Sequence, residues 1–167
     1  QLTTAERQGS TFIEQANISI LAGYSFEQSP QQHIFELPSK RVAYLYLDHF
    51  IPGTAHSLVP IFAAFRSQGA TELIVDLRYN AGGQVAEAAG LSALICGLPY
   101  ASPFIYYQGN KNAGRSLESI GDAAGADNSL NYEELLQHSL GLKRVFILSS
   151  KATASAAEVV INNLKPY

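Results

Sequence analysis

Small polar residues follow two apolar segments of this chain in a pattern that can build an acyl-transfer site. In the first segment, the apolar run 73–77 leads to the glycine pair Gly82-Gly83. In the second, the run 145–148 leads through several small residues to Ser155. Each pattern predicts a strand, a tight turn and then a helix, which can place a backbone N–H group or a hydroxyl at the mouth of a site. The glycines could hold an oxyanion and the serine could attack, so together they predict acyl transfer.

The glycine segment has the residue types that an oxyanion hole needs. Backbone N–H groups stabilise the negative oxygen formed when a carbonyl is attacked, and losing one donor typically costs about 100- to 1,000-fold in rate. Glycines allow positive φ and a close approach of substrate to the backbone, and a helix starting near Gln84 adds its positive end. We expect Asp76 and Arg78 to brace each other or the turn, and Asn80 to hold the loop through its side chain. The alternative is a turn that needs glycine and asparagine for its shape alone.

The serine segment also has two interpretations. Ser155 stands at the start of a predicted helix, where its hydroxyl would be exposed as on a nucleophile elbow, although the Gly-x-Ser-x-Gly pattern is absent. The N–H of Ala156 would then be a second oxyanion donor. In the structural alternative, Thr153 or Ser155 caps the helix, and Glu158 completes a capping box.

A nucleophilic serine needs a general base, and the sequence offers no convincing one. The four histidines, His33, His49, His56 and His138, lie in no motif. Lys151 is too close to Ser155 in sequence to face it easily, and Lys165 resembles a cation at a helix C-terminus.

Composition excludes several classes of protein. A chain of 167 residues with 47% hydrophobic residues can bury a single sizeable core. A charged fraction of only 15% suggests apolar surface that another domain or subunit covers. A net charge of −3 argues against nucleic-acid binding. The sequence has no apolar run of about 18 residues, so no membrane span is predicted. Cys96 is the only cysteine, so neither a disulfide framework nor a cysteine metal site is expected, and no cofactor is predicted. The chain has no methionine, and we interpret it as part of a longer or processed protein.

Periodicity predicts the elements that must position these residues. Strands are expected at 11–22, 33–37, 41–47, 73–77, 103–107 and 144–148, and helices at 57–67, 84–96, 131–140 and 155–164. Ser57 is expected as the N-cap of the first helix, with Pro60 in its first turn and Gly69 as its stop. Residues 108–129 have no periodic pattern, which predicts a long functional or mobile loop. Alternation of strand and helix from residue 41 onward predicts an α/β fold with a largely parallel sheet.

Taken together, the two segments resemble the tail-specific, or C-terminal-processing, serine peptidases. The run 76–83 matches the signature Asp-x-Arg-x-Asn-x-Gly-Gly, and the run 153–158 matches the nucleophile motif Ser/Thr-Ala-Ser-Ala-Ser/Ala-Glu. The resemblance covers roughly residues 40–167. It implies that Ser155 is the nucleophile and that the N–H groups of Ala156 and of Gly82 or Gly83 form the oxyanion hole.

The resemblance also implies features that the residues alone do not. The fold would be a crotonase-like (ClpP/crotonase) β-superhelix of alternating strands and helices, with residues 1–40 as an N-terminal β segment and 41–167 as the catalytic core. The family's base is a lysine in a Thr-x-Gly-Lys-like turn, which we expect beyond Tyr167, so this chain alone would be inactive. A related branch uses histidine, which keeps His49 and His56 as candidates. The implied partners are a polypeptide substrate and an upstream PDZ-type module, and the implied location is extracytoplasmic (periplasm or envelope). A non-catalytic binding module on the same fold is the alternative; an acyl-CoA enzyme is disfavoured because the serine motif would have no role.

Overall fold

A four-stranded mixed sheet forms the centre of the structure. The computed structural model describes residues 2–8, 11–18, 30–128 and 130–165, the first two ranges by their backbone. The central sheet contains β3 (Gln31–Leu37), β4 (Lys40–Tyr46), β5 (Glu72–Asp76) and β8 (Val145–Leu148), in that order. β4, β5 and β8 are parallel, and β3 pairs antiparallel with β4 as a hairpin. Because the three parallel strands run the same way, the segments that follow them meet at one edge of the sheet.

Five helices and two further hairpins accompany this sheet within the described residues. The helices are α1 (Thr54–Ser67), α2 (Val85–Cys96), α3 (Ile120–Gly125), α4 (Tyr132–His138) and α5 (Ala156–Leu164). One hairpin joins β1 (Leu2–Gln8) to β2 (Thr11–Ile18), and the other joins β6 (Pro103–Gln108) to β7 (Arg115–Ser119). The mixed α/β class is therefore confirmed. The part of the first predicted strand beyond Ile18 lies outside the described residues.

The hydrophobic core lies between one face of the sheet and the helices. Leu45, Leu73 and Val75 are fully buried and belong to the same apolar cluster as residues from α1, α2 and α5. Alternate residues point to the other face, where Tyr44, Ile74 and Phe146 are in register across three strands. Tyr44 and Ile74 are half-buried, whereas Phe146 is exposed. The packing of the helices on one face of the sheet therefore fixes the edge at which the parallel strands end.

The predicted long loop at 108–129 is wrong. This stretch contains β7 and α3 as regular elements. β7 is polar and short, so it has no local signal of its own, and it exists because it pairs with β6. Helix α3 is capped by the Ser119 hydroxyl, which accepts from the N–H of Asp122 at 3.1 Å. β6 itself pairs with β7 rather than joining the central sheet, so the simple alternation predicted from residue 41 onward is interrupted there.

Helix α1 begins about one turn earlier than predicted. Its N-cap is Gly53 rather than Ser57, and Pro60 lies inside the helix rather than in its first turn. The reason is a contact with α2: the buried Glu87 carboxylate accepts from the N–H of Gly53 at 2.7 Å and of Ala55 at 2.6 Å. These bonds satisfy helix N–H groups that would otherwise lack an acceptor. Gly69, with φ of 71°, follows the helix end as predicted.

Candidate active site

Ser155 lies on a strained turn between β8 and α5. It is the N-cap of α5 with φ of 53° and ψ of −122°, and among the described residues it is the one non-glycine residue with positive φ. Such a conformation costs on the order of 1–3 kcal/mol and persists only where the surroundings enforce it. Ser155 is exposed, whereas Ala156 behind it is buried. This is the arrangement of a nucleophile elbow, in which a strained strand-to-helix turn presents the serine hydroxyl.

Glu158 holds the turn from the helix side. Its carboxylate accepts from the N–H of Ser155 at 2.9 Å, and the N–H of Glu158 donates to the main-chain oxygen of Ser155 at 2.9 Å. The Glu158 carboxylate bond of the capping box predicted from the spacing is therefore present. Capping and catalysis are compatible in this turn, because the Glu158 carboxylate secures Ser155 by its main chain and not by its hydroxyl.

The serine turn is also tied to the end of β5. The Thr153 hydroxyl donates to the carbonyl of Leu77 at 2.7 Å and accepts from the N–H of Ser150 at 2.9 Å. The N–H of Ala154 donates to the carbonyl of Asn80 at 3.1 Å. These bonds join the two motifs, which are far apart in sequence, into one unit.

Gly82 lies directly against Ser155. A Cβ atom on Gly82 would stand 2.6 Å from the Cβ of Ser155 and 2.9 Å from the carbonyl oxygen of Ala154. Both distances are shorter than a van der Waals contact, and the φ of Gly82 is 105°. Glycine is therefore required at this position for two reasons, the approach of the serine turn and the backbone conformation.

The two glycines differ in what their N–H groups do. The N–H of Gly82 donates to Oδ1 of Asn80 at 2.8 Å. Gly83 forms a parallel bridge with Phe50, in which Phe50 donates to the carbonyl of Gly82 and accepts from the N–H of Gln84, both at 2.9 Å. This pattern turns the N–H of Gly83 away from Phe50. Phe50 follows β4 and Ser155 follows β8, and these two strands lie on opposite sides of β5.

Two backbone N–H groups are consequently available beside Ser155. Within the part of the chain that the structure describes, no acceptor is found for the N–H of Gly83 or for that of Ala156, the first residue of α5. The nitrogen of Ala156 is 3.1 Å from the position of a Cβ on Gly82, so the two turns meet there. A pair of donors fixed next to a serine can stabilise an oxyanion.

Asn80 and Asp76 hold the glycine turn from inside. Asn80 is fully buried, and its Nδ2 donates to the carbonyl of Leu47 at 3.2 Å while its Oδ1 accepts from Gly82. Asp76 is also fully buried, and accepts from Nη2 of Arg78 at 2.7 Å and from the Tyr44 hydroxyl at 2.8 Å. The Arg78 guanidinium lowers the pKa of Asp76 most, against the effect of burial. The carboxylate is therefore charged and fully bonded, and Asp76 and Arg78 do contact each other.

A cleft of about 480 Å³ opens in front of Ser155. It lies between β6 and α5, and its walls combine apolar side chains with two asparagines and Glu158. The lining residues are Pro103, Phe104, Ile105, Tyr106, Ser155, Glu158, Val159, Asn162 and Asn163. No histidine or lysine of the described residues is among them. The amide of Asn163 fixes one wall to the other by donating to the carbonyl of Phe104 at 2.6 Å.

The candidate bases named from the sequence lie elsewhere. Nδ1 of His49 is 2.6 Å from Oδ1 of Asp48, and its ring lines a separate cavity of about 240 Å³ beside the start of α1. His56 is exposed on α1, His33 stacks edge-on against Phe35 in β3, and His138 ends α4. Lys151 is exposed, and Lys165 donates to Oδ1 of Asn162 at 2.9 Å.

Several residues that build the site were not identified from the sequence. Tyr44 on β4, and Leu47 and Phe50 just after it, hold the glycine turn. No local motif marks them, because their partners are distant in sequence. Only the expectation that β4 and β5 are adjacent parallel strands could have pointed to them.

The described residues contain neither a metal site nor a membrane helix. No group of three or more His, Cys, Asp or Glu side chains is arranged to hold a metal ion. No helix within these ranges has the length and apolar character needed to cross a bilayer.

Solved structures share this architecture. An S41-assigned protease from Bacteroides fragilis NCTC 9343 superposes with a TM-score of 0.65 at 25% identity, over 99% of this chain and 44% of its own. The photosystem II D1 C-terminal processing protease has a TM-score of 0.62 and 16% identity, covering 93% of this chain and 36% of its own. A lipoprotein from Streptococcus agalactiae has a TM-score of 0.54 and 17% identity, covering 81% of this chain and 46% of its own. The chain thus spans less than half the length of each of these structures. A search of curated proteins found no match.

The family assignment follows from a sequence model. The model of peptidase family S41 matches residues 41–167, which include both the glycine turn and the serine turn. The match covers most of the chain, and it coincides with the segment that contains the site. The chain belongs to peptidase family S41.

Proposed function

We propose that this chain is the core of a serine endopeptidase of the C-terminal-processing type, with Ser155 as its nucleophile. One observation carries the proposal: Ser155 is held on a strained turn, in contact with Gly82, beside two backbone N–H groups without acceptors in the described residues. A structural cap would not require this strain, because ordinary N-caps adopt an extended conformation. The sequence motifs and the family membership support the same interpretation.

In this mechanism the Ser155 hydroxyl attacks the carbonyl carbon of the scissile peptide bond. The carbonyl oxygen becomes negative and is bound by the N–H groups of Gly83 and Ala156. Gly83 is preferred to Gly82 because the N–H of Gly82 already donates to Asn80. The general base takes the proton of the hydroxyl and passes it to the leaving amine as the C–N bond breaks, leaving an acyl ester on Ser155 that water hydrolyses.

The general base is proposed to be a lysine that follows Tyr167 in the full-length protein. In support, the cleft at Ser155 has no lysine or histidine among its described lining residues. His49 lines another cavity, and His56 projects from α1. The chain by itself should therefore show little or no turnover, since a serine without its base loses most of its catalytic power.

Further features of the whole protein are also proposals. They are a crotonase-like superhelix formed by additional α/β units, a catalytic core beginning near residue 41 after an N-terminal β segment, an upstream PDZ-type module, and an extracytoplasmic location. A match with a lipoprotein is in keeping with the location.

The test is substitution of Ser155 in the full-length protein. Ser155→Ala should abolish peptide cleavage and labelling by a fluorophosphonate probe, with the melting temperature nearly unchanged. Ser149→Ala is the matched control, because Ser149 is an exposed serine in the same turn, and it should leave both activities intact. Unchanged turnover by the Ser155→Ala variant would refute the mechanism. A folded full-length protein that is neither labelled nor active would favour the non-catalytic binding module instead.

A further inference from the structure

The β6–β7 hairpin carries an exposed aromatic and cationic surface at the rim of the Ser155 cleft. Tyr106 lines the cleft and is 60% exposed. Its partner across the hairpin is Leu117, which is 50% exposed, and Arg115 lies two residues before Leu117 on the same face. Such a continuous surface next to a catalytic cleft is positioned to contact a bound peptide.

Arg115 is held in place by an aromatic ring rather than by an acid. Its guanidinium carbon is 5.2 Å from the centroid of the Tyr106 ring, within the range of a cation–π contact. None of the ion pairs found among the described residues involves Arg115. The neighbouring acid on β7, Glu118, interacts with the hydroxyl of Tyr107, on the opposite face of the hairpin. Stacking leaves the N–H groups at the edge of the guanidinium free to bind a carboxylate.

Among the described residues, the lining of the cleft contains no cation to complement a negative group. Its described lining has Glu158 as the one charged residue, and the carboxylate of Glu158 already accepts from Ser155. A carboxylate on the substrate would be repelled near Glu158 and attracted at the rim where Arg115 lies. The charge distribution therefore favours one placement of an acidic group.

We propose that Arg115 is a specificity-determining residue that binds a carboxylate of the polypeptide substrate, while Tyr106 and Leu117 contact an adjacent apolar residue. The carboxylate comes either from an acidic side chain near the scissile bond or from the free C-terminus. This inference rests on the proposed peptidase function for the identity of the ligand, but the binding surface is independent of the reaction.

The test measures peptide binding to the full-length protein in which Ser155→Ala prevents turnover. Two pairs of fluorescent peptides separate the sources of the carboxylate. In the first pair both peptides are amidated at the C-terminus, and one has Glu and the other Gln near the scissile position. In the second pair both peptides have uncharged side chains, and one ends in a free carboxylate and the other in an amide. We expect the acidic member of one pair to bind about two- to fivefold more tightly, as is typical of a partly exposed ion pair. Arg115→Gln should abolish that preference, and Arg115→Lys should restore part of it.

Lys111→Gln provides the matched control, since Lys111 is an exposed cation on the turn of the same hairpin and its loss changes the net charge equally. It should leave the preference intact. The inference is overturned if neither pair shows a preference, if Arg115→Gln leaves the preference unchanged, or if Lys111→Gln reduces it equally. Cleavage by the protein with native Ser155 tests the proposed function separately: equal cleavage of all peptides rejects the role of Arg115 and keeps the peptidase. Acid-dependent binding without any cleavage supports the role of Arg115 and rejects the proposed peptidase activity.

Discussion

Replacing Gly82 with alanine tests whether contact between the two turns sets the position of the nucleophile. The new Cβ would be placed 2.6 Å from the Cβ of Ser155 and 2.9 Å from the carbonyl oxygen of Ala154. Ordinary van der Waals contact starts near 3.4 Å. The serine turn must therefore retreat by about 0.8 Å, the difference between 3.4 and 2.6 Å. Since two of the three nearest atoms belong to the backbone, side-chain rotation cannot relieve the clash.

A shift of this size should be far more harmful to catalysis than to folding. Misplacing a reacting group by about 1 Å can cost roughly 100-fold in rate, equivalent to about 2.7 kcal/mol in the activation barrier. The φ of 105° at Gly82 adds a conformational cost on the order of 1–3 kcal/mol to the free energy of folding. We therefore expect kcat/KM of the full-length Gly82→Ala variant to fall at least 100-fold, with a moderate loss of stability.

Gly53→Ala separates these two effects. Gly53 also has a positive φ, 84°, but no atom lies within 4 Å of a Cβ placed there. This variant should lose a similar amount of stability in urea denaturation while its kcat/KM and its rate of fluorophosphonate labelling remain near those of the parent protein. If folded Gly82→Ala retains activity within a few-fold of the parent, the packing of Gly82 on Ser155 does not position the nucleophile and the reasoning fails.

Three further outcomes are expected. Ser155→Gly should be inactive yet more stable than Ser155→Ala by about 1 kcal/mol, because glycine relieves the strain at a φ of 53°; equal melting temperatures would contradict this. The lowered pKa of Asp76, due mainly to Arg78, means that its stabilising contribution is present above its unfolded-state value of about 3.9 and is lost as pH falls through its lower folded-state pKa; Asp76→Asn should remove that acid-dependent loss in urea titrations from pH 2 to pH 5. The pKa of Glu87 is raised, mainly by burial, so its contribution is complete below about 4.3 and is lost as pH rises through the folded-state pKa. Glu87→Gln should therefore flatten the loss of stability as pH rises above about 4.3, and a profile identical to that of the parent would show that Glu87 does not titrate there.

Local patterns predicted most regular elements correctly. The apolar run at 73–77 corresponds to β5, and the segment 84–96 to helix α2, which ends at Gly97 in a left-handed conformation. Such elements depend on burial and on caps that adjacent residues supply. Where the determining contact was distant, prediction failed: β7 has its strand structure through pairing with β6, and α1 begins at Thr54 because Glu87 supplies acceptors from another helix.

The same division applies to the candidate site. Motif spacing identified Ser155, the glycine pair and the acid–amide framework of Asp76 and Asn80, because each short motif has a characteristic sequence. It left open which glycine offers its N–H group. The tertiary structure shows a difference between the two: the N–H of Gly82 donates to Asn80, whereas that of Gly83 has no acceptor among the described residues.

By itself the sequence determined which chemistry the chain can support, since a serine and a glycine pair, each following an apolar strand, are evident from residue order alone. Only the tertiary structure decided that the two turns touch, that Ser155 is strained, and that Arg115 stacks on Tyr106 at the rim of the cleft. The physical reason is that chemical identity and backbone propensity are properties of neighbouring residues. Distance, strain and the direction of an N–H group are set by contacts between residues far apart in the chain.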